Sequence, residues 1–93
     1  MTMPATIRIP TSLRSLTDGS AVVEVQPGNL DELLGDLATR YPELGERLLG
    51  EDGRPRRFVN IFVAEDDIRF LDGVDTPVGE GQVVTILPAV AGG

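Results

Sequence analysis

Phe58-Val59-Asn60-Ile61-Phe62-Val63 is the strongest strand signal in this 93-residue chain, with five β-branched or aromatic residues around one asparagine. A strand sends alternate side chains to opposite faces, so Phe58, Asn60 and Phe62 share one face and Val59, Ile61 and Val63 the other. The polar Asn60 marks the phenylalanine face as the wetter of the two. Downstream, Glu65-Asp66-Asp67 turns the chain into Ile68-Arg69-Phe70, which reads as a short hairpin partner. Residues 71–82 are broken by Gly73, Pro77, Gly79 and Gly81, and Val83-Val84-Thr85-Ile86-Leu87 forms the last strand, closed by Pro88.

Upstream, Ala5-Thr6-Ile7-Arg8-Ile9 alternates apolar and polar up to Pro10 and predicts a first strand. A loop to Asp18-Gly19 leads into a second strand over 20–25, ended by Gln26-Pro27-Gly28. Asn29 with Glu32 three residues later is a capping-box pattern, and it predicts a helix from Leu30. Leu30, Leu33, Leu34, Leu37, Ala38 and Tyr41 recur at helical spacing as one apolar stripe, which must face a sheet. Gly35 falls on the opposite face, Pro42 ends the main helix, and residues 43–49 hold a further turn or two. Residues 50–57 make a polar loop carrying Arg54, Arg56 and Arg57, the one basic cluster, read as a solvated loop able to orient the molecule on an acidic partner.

The order strand, strand, helix, strand, short strand, strand has to share one core. It predicts an α+β fold, a mixed sheet with one main helix across one face, in the β-grasp (ubiquitin-like) arrangement. The chain length allows one domain, assigned to residues 1–88, with 89–93 as a flexible C-terminal Gly-Gly tail.

Composition excludes more than it suggests. The chain has no Cys and no His, and all eight basic residues are Arg, so thiol nucleophile, imidazole base and Schiff-base lysine are all missing. No catalytic residue is assigned and an enzyme in its own right is disfavoured. The formal net charge of −7 opposes binding to nucleic acid or anionic lipid and favours basic surfaces on other proteins. Glu65-Asp66-Asp67 is a solvated turn rather than a metal site, and Asp72 and Asp75 lack the rest of a calcium loop, so no metal ligand is assigned. Nothing in the first residues reads as a secretion signal or a membrane span, and a cytoplasmic setting is expected.

After Pro88 come Ala89-Val90-Ala91-Gly92-Gly93, small and uncharged. Extended, five residues reach roughly 17 Å, far enough to enter a pocket in another protein. Glycines, lacking Cβ, pass a narrow channel. A glycine-rich end is also what a frayed terminus looks like, and two glycines do not decide between these readings.

Residues 84–93, Val-Thr-Ile-Leu-Pro-Ala-Val-Ala-Gly-Gly, resemble the C-terminal signature of the ThiS/MoaD family of ubiquitin-like sulfur carriers. Residues 58–70 resemble the central hairpin of the same family, most closely its cysteine-biosynthetic, CysO-type branch, and Asn60 occupies a usual family position. Residues 1–57 match in pattern and length only. Pro88-Ala89 stands where the family usually has Pro-Pro before the last valine.

The resemblance implies that a MoeB/ThiF-type, E1-like partner uses ATP and magnesium to adenylate the Gly93 carboxylate. Sulfur then displaces AMP, leaving a thiocarboxylate that gives its sulfur to a downstream synthase; the chain itself binds no cofactor. It further implies that one sheet face near the tail docks on the activating enzyme. Phe58, Phe62, Phe70 and Leu87 would otherwise be core by default. Phe62, Leu87, Pro88, Ala89, Val90 and Ala91 are assigned to that partner surface, with Gly92 and Gly93 as the sulfur-carrying terminus. Two other readings stay open: a β-grasp binding module that is never adenylated, and a modifier whose activated carboxylate joins a target lysine.

Overall fold

The structure, a computed structural model, describes residues 3–88. Strands β1 (Ala5–Arg8) and β2 (Val22–Val25) pair antiparallel, with Ala5 opposite Val25 and Arg8 opposite Val22. The segment between them, read as a loop, contains a 3₁₀ helix over Thr11–Thr17. It forms because Leu13 and Thr17 are buried, and the Thr17 hydroxyl lies 2.9 Å from the Ser20 carbonyl and 3.2 Å from that of Arg14. A buried hydroxyl so satisfied anchors the turn without an orphaned polar atom.

A short strand, β3 (Gly28–Asn29), leads directly into helix α1 (Leu30–Arg40). The predicted box closes here, with the Asn29 N–H donating to the Glu32 carboxylate at 3.0 Å. Leu30, Leu33, Leu34 and Leu37 are buried on the side facing the sheet, as their spacing requires, and Gly35 is exposed on the other. The helix stops at Arg40, and Pro42 then starts α2 (Pro42–Leu48), where its missing N–H costs nothing. Gly45 in α2 sits so close to α1 that a Cβ there would lie 2.6 Å from the Ala38 Cβ.

Strand β4 (Val59–Val63) buries Val59, Ile61 and Val63 and leaves Asn60 and Phe62 half-buried, so the alternation of the decisive stretch holds. The hairpin that follows differs from expectation. Its partner strand, β5, is Asp66–Asp67, paired with Val63 and Phe62, whereas Ile68–Phe70 is a 3₁₀ helix and not a strand. The cause is local. The Asp67 carboxylate accepts the Arg69 N–H at 2.8 Å, an N-cap that curls the chain, while Ile68 turns inward to 8% exposure.

A further strand, β6 (Pro77–Val78), pairs with β3 in a two-stranded ribbon. Two residues each are too few to show periodicity, and neither strand is legible in the sequence. Strand β7 (Val83–Pro88) then runs parallel to β1 and antiparallel to β4, giving a five-stranded sheet ordered β2-β1-β7-β4-β5. The core lies between this sheet and the helices, with Ile7, Leu30, Leu44, Val84 and Ile86 fully inaccessible. It is the mixed sheet crossed by a main helix that a β-grasp fold requires. Among the described residues no helix is long and apolar enough to cross a membrane.

Candidate functional site

The helices cover one face of the sheet, and the other face belongs to solvent. On that open face, alternation along β7 places Val83, Thr85 and Leu87 outward while Val84 and Ile86 enter the core. Register sets Phe62 opposite Thr85 and Asn60 opposite Leu87 on the two adjoining strands, and Val59 opposite Pro88. Leu87 is 48% exposed, and Phe58, just before β4, is 49% exposed. The outward side of β4 and β7 is therefore partly apolar up to the residue at which β7 ends.

Phe70 extends this apolar surface at 86% exposure, and together with Phe62 and Leu71 it lines a shallow depression beside the acidic turn. None of Phe58, Phe62, Phe70 and Leu87 is core, so the default burial of large apolar residues fails at all four. The Phe70 exposure follows from the 3₁₀ turn: a strand would have given Ile68 and Phe70 the same face, whereas the turn buries Ile68 and releases Phe70.

At the margin of this surface the Arg69 guanidinium donates to Asp67 at 2.7 Å and to the Asn60 Oδ1 at 3.1 Å. The hydrogen bonds from Arg69, first from its side chain and then from its backbone N–H, hold the Asp67 carboxyl below the usual aspartate range, and the side-chain bond together with the Asp67 charge raises Arg69. Asn60 thus ties the β4 strand to the β5 corner, a contact that no sequence spacing announces. Among the described residues no group of three or more carboxylates is arranged to hold a metal ion.

Of the residues assigned from the sequence, the fold places Phe62 on β4 and Leu87 on β7 on the same open face, with Pro88 at the end of β7 opposite the buried Val59. Ala89, Val90, Ala91, Gly92 and Gly93 lie outside the described residues.

Comparison with known proteins bears on the same region. The sequence model of the ThiS family matches residues 7–93. The sulfur carrier protein CysO of Mycobacterium tuberculosis is 43% identical over 93 residues, covering 98% of this chain and all of that protein. A crystal structure of Mycobacterium tuberculosis CysO superposes with a TM-score of 0.82, at 41% identity over 92% of this chain and 99% of that one. The BexX/CysO complex of Amycolatopsis orientalis contains a chain that matches with a TM-score of 0.86 and 39% identity, over 96% of this chain and 99% of its own. Small archaeal modifier protein 3 of Haloferax volcanii is 36% identical over 62 residues, 67% of this chain and 66% of its own.

Proposed function

The chain belongs to the ThiS family, and from that premise we propose that it is a sulfur carrier whose Gly93 carboxylate is adenylated and then converted to a thiocarboxylate. One observation carries the reading. The family match runs through Gly93, while the last strand ends at Pro88 on the rim of an open, partly apolar sheet face. Head and tail then have separate duties: the face docks, and the terminus reacts.

The chemistry follows from the ionisation of the terminus. A chain-terminal carboxylate of pKa about 3.5 is anionic at neutral pH and resists a sulfur nucleophile. Its oxygen must first attack the α-phosphorus of ATP, releasing pyrophosphate and leaving an acyl-adenylate. A hydrosulfide-level sulfur then adds to the acyl carbon and AMP departs with the bonding electrons. With no His, Cys or Lys, this chain supplies no conventional base, thiol or amine, and ATP, magnesium and the catalytic groups are the partner's.

That partner is a MoeB/ThiF-type, E1-like enzyme acting in the cytoplasm, where ATP is available, and a synthase later takes the sulfur into cysteine, a cofactor or a thiosugar. Phe62, Leu87 and Pro88 contact the activating enzyme, and Ala89, Val90 and Ala91 thread toward its active centre. The CysO relative solved with BexX supports a head that docks on another protein.

The reading is tested by incubating the chain with ATP, magnesium, sulfide and E1-like enzymes of the same cell. Exchange of one oxygen for sulfur adds about 16 Da, and tandem mass spectrometry must place it on Gly93 rather than on an oxidised methionine. A Gly93-deleted chain stays unmodified. If no such enzyme modifies the terminus, the chain is a β-grasp binding module and the carrier reading fails. The likeness to an archaeal modifier protein favours one alternative, conjugation to a target lysine. A ladder of lysine-linked conjugates in cells, in place of free thiocarboxylate, would decide for it.

A further inference from the structure

Strand β5 lies opposite only Phe62 and Val63, and the Val59 N–H donates to the Arg56 carbonyl at 3.0 Å, so among the described residues Ile61 is the β4 position whose edge no strand covers. The Ala64 N–H donates to the Val83 carbonyl at 2.8 Å, which fixes the phase of the ladder. Backbone groups of Phe62 and Asn60 turn toward β7, and those of Val63 and Ile61 turn the other way. Val63 meets β5 there. Ile61, two residues earlier, turns its N–H and C=O to the side where β5 has already ended.

A cavity of about 300 Å³ is lined by Arg54, Arg56, Arg57, Arg69, Asn60 and Ile61, with the turn after β5 closing its other side through Ile68, Gly73 and Val74. Half of the eight arginines of a chain with net charge −7 thus surround one groove. Its one carboxylate, Asp67, is already held by Arg69. Arg56 is oriented by donating its Nε–H to the Glu46 carbonyl at 3.1 Å, and among the described residues Arg54 and Arg57 have no carboxylate partner. Val59 also lines the groove and pairs with Pro88, so the groove lies beside the end of β7.

We propose that the groove is a docking site for an extended, acidic segment of a partner protein, which adds to the open edge of β4 while its carboxylates meet Arg54, Arg56 and Arg57. An extended segment is required because a sheet edge pairs with a strand, and alternate side chains of that strand then reach the same wall. Carboxylates are required because Arg54, Arg56 and Arg57 all line the groove, and Arg binds carboxylate bidentately. The site is distinct from the apolar face of β4 and β7, and it binds whether or not Gly93 is ever activated.

The test uses the isotope-labelled full chain and a capped heptapeptide of alternating Glu and Val, followed by amide NMR. Shifts confined to residues 54–61 and Arg69, slowed exchange of the Ile61 amide, and an affinity that falls about tenfold or more between low and high salt are expected. The double variant R54E/R57E should lose the peptide while its remaining amide shifts stay in place, which shows that it is folded. R54K/R57K should retain weakened binding. No shifts, shifts spread over the surface, or orthophosphate and AMP producing the same changes without slowing Ile61 would each overturn the proposal, the last by reducing the groove to a general anion site.

Discussion

Two glycines in the helical layer show how much a single Cβ decides. At Gly45 a Cβ would lie 2.6 Å from the Ala38 Cβ and 3.0 Å from its Cα, and the backbone of α1 has no room to yield. Gly45→Ala is therefore expected to lower stability by about 1–3 kcal/mol, as overpacking does, despite the better helix propensity of alanine. Gly35 meets nothing within 4 Å, and Gly35→Ala should raise stability by about 0.5–1 kcal/mol; paired urea titrations check both signs. Asp67 answers to pH instead. Its folded pKa lies below the unfolded value of about 3.9, so its contribution is present above that value and disappears as pH falls through the folded pKa. Asp67→Asn should remove that part of the acid dependence, read by comparing urea midpoints of the two proteins from pH 5 to pH 2; identical slopes would refute it.

Among the elements, β4 was the most legible and its hairpin partner the least. Alternation in residues 58–63 assigns both faces correctly because period 2 has only two outcomes, and Asn60 selects between them. Ile68-Arg69-Phe70 has the same apolar-polar-apolar form, yet capping by Asp67 draws it into a 3₁₀ turn. A one-turn competition between a side-chain cap and a ladder leaves no mark in residue spacing. The outward face of β4 and β7 carries its own prediction. Phe62→Glu or Leu87→Glu should slow adenylation by the cognate enzyme at least tenfold while leaving the thermal midpoint within a few degrees, since both positions retain solvent contact. Pyrophosphate release measures the first quantity and circular dichroism the second; unchanged adenylation would remove this face from the partner surface.

For the molecule as a whole, the parallel pairing of β1 with β7 joins the two ends of the described chain at the centre of the sheet, Thr6 opposite Val83 and Arg8 opposite Thr85. Those contacts form only when everything between them has folded, so they should open only with the whole domain. Native-state hydrogen exchange is expected to show the amides of Ile7, Val84 and Ile86 as the slowest, and the exposed loop over 51–54 as open to exchange without global unfolding. Exchange of β7 ahead of α1 would contradict this order and would mean that the last strand loosens separately from the rest of the sheet.

What the sequence by itself determined is everything that repeats or recurs along the chain: the strands at period 2, the leucine stripe of α1, its capping pair, a composition without His, Cys or Lys, and the terminal motif that led to the family. These are local or compositional, and they need no knowledge of neighbours. Only the tertiary structure decided that β3 and β6 pair, that Ile68–Phe70 coils and exposes Phe70, that Gly45 must admit α1, and that four arginines line one groove beside β4. Each depends on groups distant in sequence, or on a contest between a cap and a ladder, and such contacts have no period for a sequence to display.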